Sequence, residues 1–278
     1  MPVGSGRSLA FFSAPHLDQE GLFIVVTPLM ALAEDMGRRL GQNHAVHGGI
    51  YPQFSAQNGQ LIFVVARHAE ADRFLGWLEV QSSHLWHVFI DECHHIYLST
   101  TYHACFHLFH RLTKLNKPFT FLSSTVLPQS IPLLCSAMGI SQEMLQIICA
   151  PIARPNISYS ITHIPEAENM LDVVMGFCHN FQLGPDDCGI IYSRTIADAK
   201  LLAEVLRCEY YASKVDLDEE INMGKKWAII KRWQQGKGVA NRWIVRTQCF
   251  GEGIDQSNVQ ITAHYNVMTL LDIIEQTG

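Results

Sequence analysis

The stretch Trp86-His87-Val88-Phe89-Ile90-Asp91-Glu92-Cys93-His94 constrains the fold of this chain more than any other. A short apolar run of this kind is the pattern of a buried strand in an α/β sheet. The run ends in two adjacent carboxylates. Strands of open α/β sheets deliver their last residues to the carboxyl edge, where such sheets bind ligands. Asp91 and Glu92 are therefore candidate site residues. In a sheet built around a phosphate loop, the first acid serves Mg²⁺ and the second orients an attacking water. The plain alternative is an acidic start to a helix, which favours the helix dipole.

Apolar runs recur along the chain. Strands are predicted at Gly21–Thr27, Leu61–Ala66, Phe119 onward, Cys188–Tyr192 and Trp243–Arg246. Helices are predicted over 28–40, from 67 to about 81, over 166–181, after Thr195 and over 227–235, with a shorter one from Leu9 to Pro15. Strands alternating with helices predict an α/β fold with mainly parallel sheets. A length of 278 residues suits two domains of about 140 residues each. The proline-bearing segment Ala150-Pro151-Ile152-Ala153-Arg154-Pro155-Asn156 is a good linker, giving domains over 1–150 and 151–278.

Charge and cysteine usage narrow the function. The net charge of −6 gives no global basic footprint, so any nucleic-acid contact must come from local patches. The eight cysteines are scattered and form no CxxC pair. That suggests neither a zinc ribbon nor a disulfide framework and points to a reducing, intracellular compartment. No apolar run reaches membrane-spanning length, and the N-terminus has no signal-like apolar segment. His94, His95, His103, Cys105, His107 and His110 cluster in sequence. On a helix, His103, His107 and His110 would share a face. An amphipathic helix with ordinary histidines is preferred over a metal site, because no carboxylate or CxxC completes a ligand set.

Residues 1–8 read Met-Pro-Val-Gly-Ser-Gly-Arg-Ser. The phosphate-loop pattern G-x-x-x-x-G-K-[ST] cradles phosphates with backbone N–H groups, places Lys on the β/γ-phosphates and puts a hydroxyl on Mg²⁺. Gly4, Gly6 and Ser8 fit the glycine-rich turn and the metal hydroxyl. Arg7 stands where Lys is expected. It keeps the charge but brings a planar, bulkier fork.

Asp91-Glu92-Cys93-His94 resembles the DExH box of superfamily 2 helicases, and its neighbours resemble the RecQ-like branch, most closely RecQ-like helicases of fungi. The resemblance covers nearly the whole chain. Thr27-Pro28-Leu29-Met30-Ala31-Leu32 is similar to motif Ia, Ser123-Ser124-Thr125 to motif III, and Ser193-Arg194-Thr195 to motif IV. Arg154-Pro155-Asn156-Ile157 with Tyr159 is similar to the segment that opens the second motor domain. Thr247-Gln248-Cys249-Phe250-Gly251-Glu252-Gly253-Ile254-Asp255 resembles motif V, with Cys249 and Glu252 as departures. The resemblance implies two tandem RecA-like domains of the P-loop NTPase class. It further implies ATP and Mg²⁺ as cofactors and 3′-to-5′ unwinding of DNA in repair and recombination in the nucleus.

By resemblance, Asp91 and Glu92 are catalytic, and Gly4, Ser5, Gly6, Arg7, Ser8 and Asp255 bind nucleotide, with Ser8 and Asp91 toward Mg²⁺. Thr27, Pro28, Arg194, Thr247, Gly251 and Gly253 would contact DNA, as a single strand or as a duplex with a single-strand tail. Several features depart from the pattern. Tyr97 and Tyr102 fall where an aromatic-rich loop couples DNA to hydrolysis, without that loop's usual pattern. No strand precedes the glycine loop, which predicts a gap in the middle of the first sheet, and the chain stops at Gly278, before the arginines of motif VI. The second expectation is therefore a fragment or degenerate copy that keeps the fold and binds nucleic acid or partners without hydrolysing ATP.

Overall fold

The computed structural model describes residues 6–17, 21–28, 32–33, 36–37, 44–47, 60–69, 71–98, 110–149, 155–165, 169–212, 228–235, 242–247, 258–266 and 273. The chain divides into two compact units, Met1–Ala153 with Gly278, and Arg154–Thr277.

The first unit is built on five parallel strands: β1 (Leu22–Thr27), β2 (His44–His47), β3 (Gln60–Val65), β4 (Leu85–Ile90) and β5 (Phe119–Phe121), in the order β2-β3-β1-β4-β5. Alternate side chains of a strand face opposite sides of the sheet, and here both sides are covered. Leu22, Ile24 and Val26 join one apolar cluster with Ile62, Val64, Phe74, Leu78, Val88 and Ile90. Phe23 and Val25 join the other with Phe11, Leu61, Phe63 and Phe89. Two-sided burial explains why these strands read as unbroken apolar runs. The gap expected in the middle of this sheet is not seen among the described strands. They pair in unbroken order, and β5 is the edge.

Of the helix predicted over 28–40, Pro28, Leu32, Ala33, Met36 and Gly37 are described; Pro28 lies in a bend and the other four are helical. The single helix predicted over 67–81 is instead two, Ala66–Ala69 and Asp72–Val80. The break falls at Ala71, whose backbone is extended at φ −63° and ψ 134°.

The second unit has four parallel strands: β6 (Cys188–Ser193), β7 (Glu209–Tyr211), β8 (Trp243–Thr247) and β9 (Val259–Tyr265), in the order β7-β8-β6-β9. The helix Met170–Asn180 starts at Asn169, whose Oδ1 accepts the Leu171 N–H at 3.0 Å. The helix Ile196–Leu206 starts at Thr195, whose Oγ1 accepts the Asp198 N–H at 3.0 Å, and ends with Arg207 left-handed. Gly189 lies in the middle of this sheet because a Cβ there would fall 2.5 Å from the Trp243 ring. Strands β2, β7 and β9 are additions to the strands predicted from sequence.

Candidate functional site

The candidate site lies at the carboxyl edge of the first sheet. Asp91 and Glu92 follow β4 directly. The Asp91 N–H donates to the Val26 carbonyl at 2.9 Å, and the Cys93 N–H donates to the Leu122 carbonyl at 3.0 Å. The acidic pair is thus fixed by backbone on both sides, from the end of β1 and the segment after β5. Between these anchors Glu92 has φ +47°, a left-handed conformation that is costly for a residue with a Cβ. Its own N–H donates to Asp91 Oδ1 at 3.0 Å. Such strain persists where the surroundings over-determine it, and active sites are where it gathers.

The glycine turn approaches from the N-terminal side. Gly6 has φ +79°, and a Cβ there would meet Leu9 Cδ1 at 3.1 Å. Glycine alone adopts this region at no steric cost. The Leu9 N–H closes the turn onto the Gly6 carbonyl at 2.8 Å. The short helix Leu9–Phe12 that follows is pinned to the sheet by Phe11, which is 0% exposed. Its ring packs edge-on against Phe12, Phe63 and Phe89, with centroids 4.8, 6.0 and 6.0 Å away. Ser8 precedes that helix and makes no side-chain capping bond, so its hydroxyl is not spent on the helix.

Arg7 and Glu92 meet. Arg7 Nη2 donates to Glu92 Oε1 at 2.7 Å, with the side chains 14% and 13% exposed. Arg7 Nη1 and Glu92 Oε2 are buried without a hydrogen-bond partner. His94 Nδ1 stands 3.4 Å from Oε2. Burial pulls the Arg7 guanidinium down, but Glu92 and, more weakly, Asp91 outweigh it, and the group is held above its usual value. Burial pushes the Cys93 thiol up, helped by the same two carboxylates, so Cys93 is a packing residue.

A hydroxyl relay that did not figure among the predicted site residues extends this group. His94 Nδ1 lies 3.0 Å from Ser123 Oγ, with the donor set by the tautomer. Ser123 Oγ lies 3.3 Å from Thr125 Oγ1 and accepts the Thr125 N–H at 3.1 Å. The signal was present in the sequence, since His94 ends the acidic box and Ser123 and Thr125 follow β5. Thr27 and Pro28 close β1 at the same edge, Thr27 being 0% exposed and Pro28 also buried.

In the second unit, Arg194 is exposed just after β6, and Thr247 is buried at the end of β8. Ser193 Oγ donates to the Thr195 carbonyl at 3.2 Å, which shapes the turn that carries Arg194. The structure adds Arg246, buried in β8. Its guanidinium lies 4.3 Å from the Tyr192 ring centroid and donates to the Tyr192 hydroxyl. His264 stacks on Tyr192 at 5.0 Å and 6°. Burial lowers Arg246 to about 9, which leaves it a cation at neutral pH. Gly4, Ser5, Gly251, Gly253 and Asp255 lie outside the described residues, as do His103, His107 and Tyr102. Among the described residues no group of three or more His, Cys, Asp or Glu could hold a metal ion.

The residues present fit a nucleotide phosphate with Mg²⁺. Arg7 Nη1 is a buried donor with no acceptor, which suits an anion. Asp91 and Ser8 offer the hard oxygen donors that Mg²⁺ prefers.

The two sheets, with their helices, have the fold of tandem RecA-like α/β units. No protein-family model matches the chain. The chain is similar along nearly its whole length to ATP-dependent DNA helicases of the RecQ type. It is 24% identical over 298 residues to ATP-dependent DNA helicase Q5 of Mus musculus, covering 96% of this chain and 29% of that protein. To ATP-dependent DNA helicase Q-like 4B of Arabidopsis thaliana it is 25% identical over 294 residues, covering 96% of this chain and 24% of that one. To ATP-dependent DNA helicase RecQ of Synechocystis it is 23% identical over 309 residues, covering 100% of this chain and 60% of that one. The chain therefore spans less than two thirds of these relatives. Among solved structures, the helicase Lhr of Mycobacterium smegmatis bound to ssDNA and AMP-PNP superposes with TM-score 0.68 at 17% identity, covering 100% of this chain and 41% of that chain. Dbp5 of S. cerevisiae bound to RNA and ADP BeF3 gives TM-score 0.68 at 13% identity, covering 99% and 73%.

Proposed function

We propose that this chain is the motor core of a RecQ-like DNA helicase, nearest the fungal branch, that couples ATP hydrolysis to 3′-to-5′ unwinding in nuclear DNA repair and recombination. The observation that carries the reading is the meeting of Arg7, from the glycine turn, with Glu92, from the acidic box, at the carboxyl edge of one parallel sheet. Two segments far apart in sequence, each resembling a nucleotide-handling motif, converge on one point. The similarity to RecQ helicases along the chain supports the same reading.

In this reading Gly4, Ser5, Gly6, Arg7 and Ser8 hold the phosphates, and Asp255 is a further nucleotide-binding residue. Ser8 and Asp91 hold Mg²⁺, which neutralises charge on the phosphates. Glu92 accepts a hydrogen bond from the attacking water and orients it. Exposed Arg194 contacts the phosphate backbone of a single strand or a tailed duplex. Thr27, Pro28, Thr247, Gly251 and Gly253 bring backbone to it, since Thr27, Pro28 and Thr247 are buried. No helix among the described residues is long and apolar enough to cross a membrane.

The test is ATP turnover with and without single-stranded DNA. Stimulated turnover that Glu92→Gln abolishes supports the motor. Absence of turnover in both the parent and Arg7→Lys refutes it. One observation favours a second reading: the side chain in the lysine position is an arginine already engaged by Glu92. In that reading the chain binds nucleic acid or a partner without hydrolysing ATP. Turnover that appears only in Arg7→Lys would single it out.

A further inference from the structure

We propose that Arg7 and Glu92 form a latch that the terminal phosphate of a nucleoside triphosphate must open, so that this chain's phosphate loop competes with its own catalytic carboxylate. The inference rests on the nucleotide-site reading above and adds a regulation to it. Its ground is geometric. An arginine fork fits a carboxylate and a phosphate with the same two parallel donors. One donor, Nη2, is on Glu92 Oε1 at 2.7 Å. The other, Nη1, is buried and has no acceptor.

A phosphate can reach Nη1 first, but it takes the whole fork only if Nη2 leaves Glu92. The incoming charge also repels the carboxylate. A compact lysine ammonium differs, because its three donors radiate from one point and can serve carboxylate and phosphate together. The latch is therefore a property of the arginine. It also ties up part of Glu92: while Oε1 accepts from Arg7 and holds the carboxylate toward the glycine turn, only Oε2 is left for a water. Release of Glu92 and capture of the phosphate become one event. The chain is then silent without a triphosphate and commits its carboxylate only after Arg7 has changed partner.

The test is a double-mutant cycle on the full chain, read as the dissociation constant of a fluorescent, non-hydrolysable ATP analogue with Mg²⁺. Glu92→Gln keeps the side-chain shape and removes the charge, while Arg7→Met keeps most of the length and removes the fork. The latch predicts that Glu92→Gln tightens binding about ten- to thirtyfold when Arg7 is present, the scale of a mostly buried, charge-assisted hydrogen bond. With Arg7→Met in place, the same change gives less than about a twofold gain, since no pair remains to break. Binding that appears in Glu92→Gln when the parent shows none supports the latch equally.

An equal gain in both backgrounds overturns the latch and assigns the effect to simple charge repulsion. Parent binding that Glu92→Gln leaves unchanged or weakens also overturns it, while the nucleotide-site reading stands. If neither parent nor Glu92→Gln binds the analogue, both ideas fall together.

Discussion

The left-handed backbone of Glu92, φ +47°, lets conformation and chemistry be separated at one residue. A residue with a Cβ in this region carries about 1 kcal/mol or more of strain. The Arg7 bond offsets it. A charge-assisted hydrogen bond is worth about 1.5–3 kcal/mol when buried, and an exposed ion pair about 0–1. With the two side chains 14% and 13% exposed, about 2 kcal/mol is the reasonable middle value. Glu92→Gln loses that interaction and keeps the strain, so it should destabilise the first unit by about 2 kcal/mol. Glu92→Gly loses the same interaction but relaxes the backbone, so its net cost should be about 1 kcal/mol. Glu92→Asn, whose short side chain tolerates the left-handed region, should fall between them. The order Gly, Asn, Gln reverses the usual one, in which glycine inside a regular element costs about 0.5–1 kcal/mol more than a residue with a side chain. Urea unfolding of the three variants, followed by tryptophan fluorescence and fitted for midpoint and slope, reads the order directly. All three should lack turnover, so activity cannot confound the comparison. If Glu92→Gly is about 1 kcal/mol or more less stable than Glu92→Gln, Glu92 holds no strain and the reasoning is wrong.

Three further expectations follow from burial. Phe11→Ala should cost about 3–5 kcal/mol in the urea experiment and abolish binding of the ATP analogue, because that ring fixes the glycine turn to β3 and β4; Phe11→Leu should keep most of both. Burial pushes Cys178 and Cys208 up to about 12, so at pH 8 iodoacetamide should modify exposed Cys149 quickly and these two slowly, as judged by mass spectrometry. Their folded pKa lies above the unfolded value, so they contribute stability that is present below about pH 8.5 and lost above it at about 1.4 kcal/mol per pH unit per thiol. Thermal melts of the parent should therefore fall more steeply between pH 8.5 and 10 than those of Cys178→Ala with Cys208→Ala, the pH values being about the unfolded thiol range. His87, lowered by burial and 2.7 Å from Thr120 Oγ1, has the opposite sense. Its contribution is present above about pH 6.5 and is lost as pH falls through the folded value, so acid should destabilise the parent more than His87→Gln in urea titrations.

The architecture was legible because its strands are buried on both faces. β1, β3, β4, β6 and β8 each show an unbroken apolar run, and a run of that kind followed by a helical stretch specifies parallel α/β order. The three additional strands carry a weaker mark. β2 has histidines at both ends, and β7 is three residues long with a half-buried face. β9 mixes Gln260, Thr262 and His264 into its apolar residues because it lies at a sheet edge and is only partly covered. Edge strands make fewer apolar contacts, so their sequences are less constrained. The split between Ala66–Ala69 and Asp72–Val80 was hidden for another reason. Ala71 breaks the helix by adopting an extended backbone, and alanine carries no side-chain signal for that choice.

At the site, the legible residues were those whose chemistry is unusual for their surroundings: paired acids at the end of an apolar run, and glycines before a cation. The relay of His94, Ser123 and Thr125 was harder to foresee, since its partners lie 29 residues apart and hydroxyls after a strand are common in turns. Arg246 had a stronger signal that went unread, a charge directly after the apolar run Trp243-Ile244-Val245 and before Thr247, within one strand. A buried guanidinium is costly unless something compensates it, so its presence there implies a compensating neighbour. That neighbour is Tyr192, one strand away in register, which offers its ring face and its hydroxyl to the cation. The cation lies one residue before Thr247 and so braces the end of β8, from which the glycine-rich segment departs. A charge within a buried strand thus marks a specific contact, as the acids after β4 mark theirs, and by the same physics: water is excluded there, and only a specific partner makes the charge tolerable.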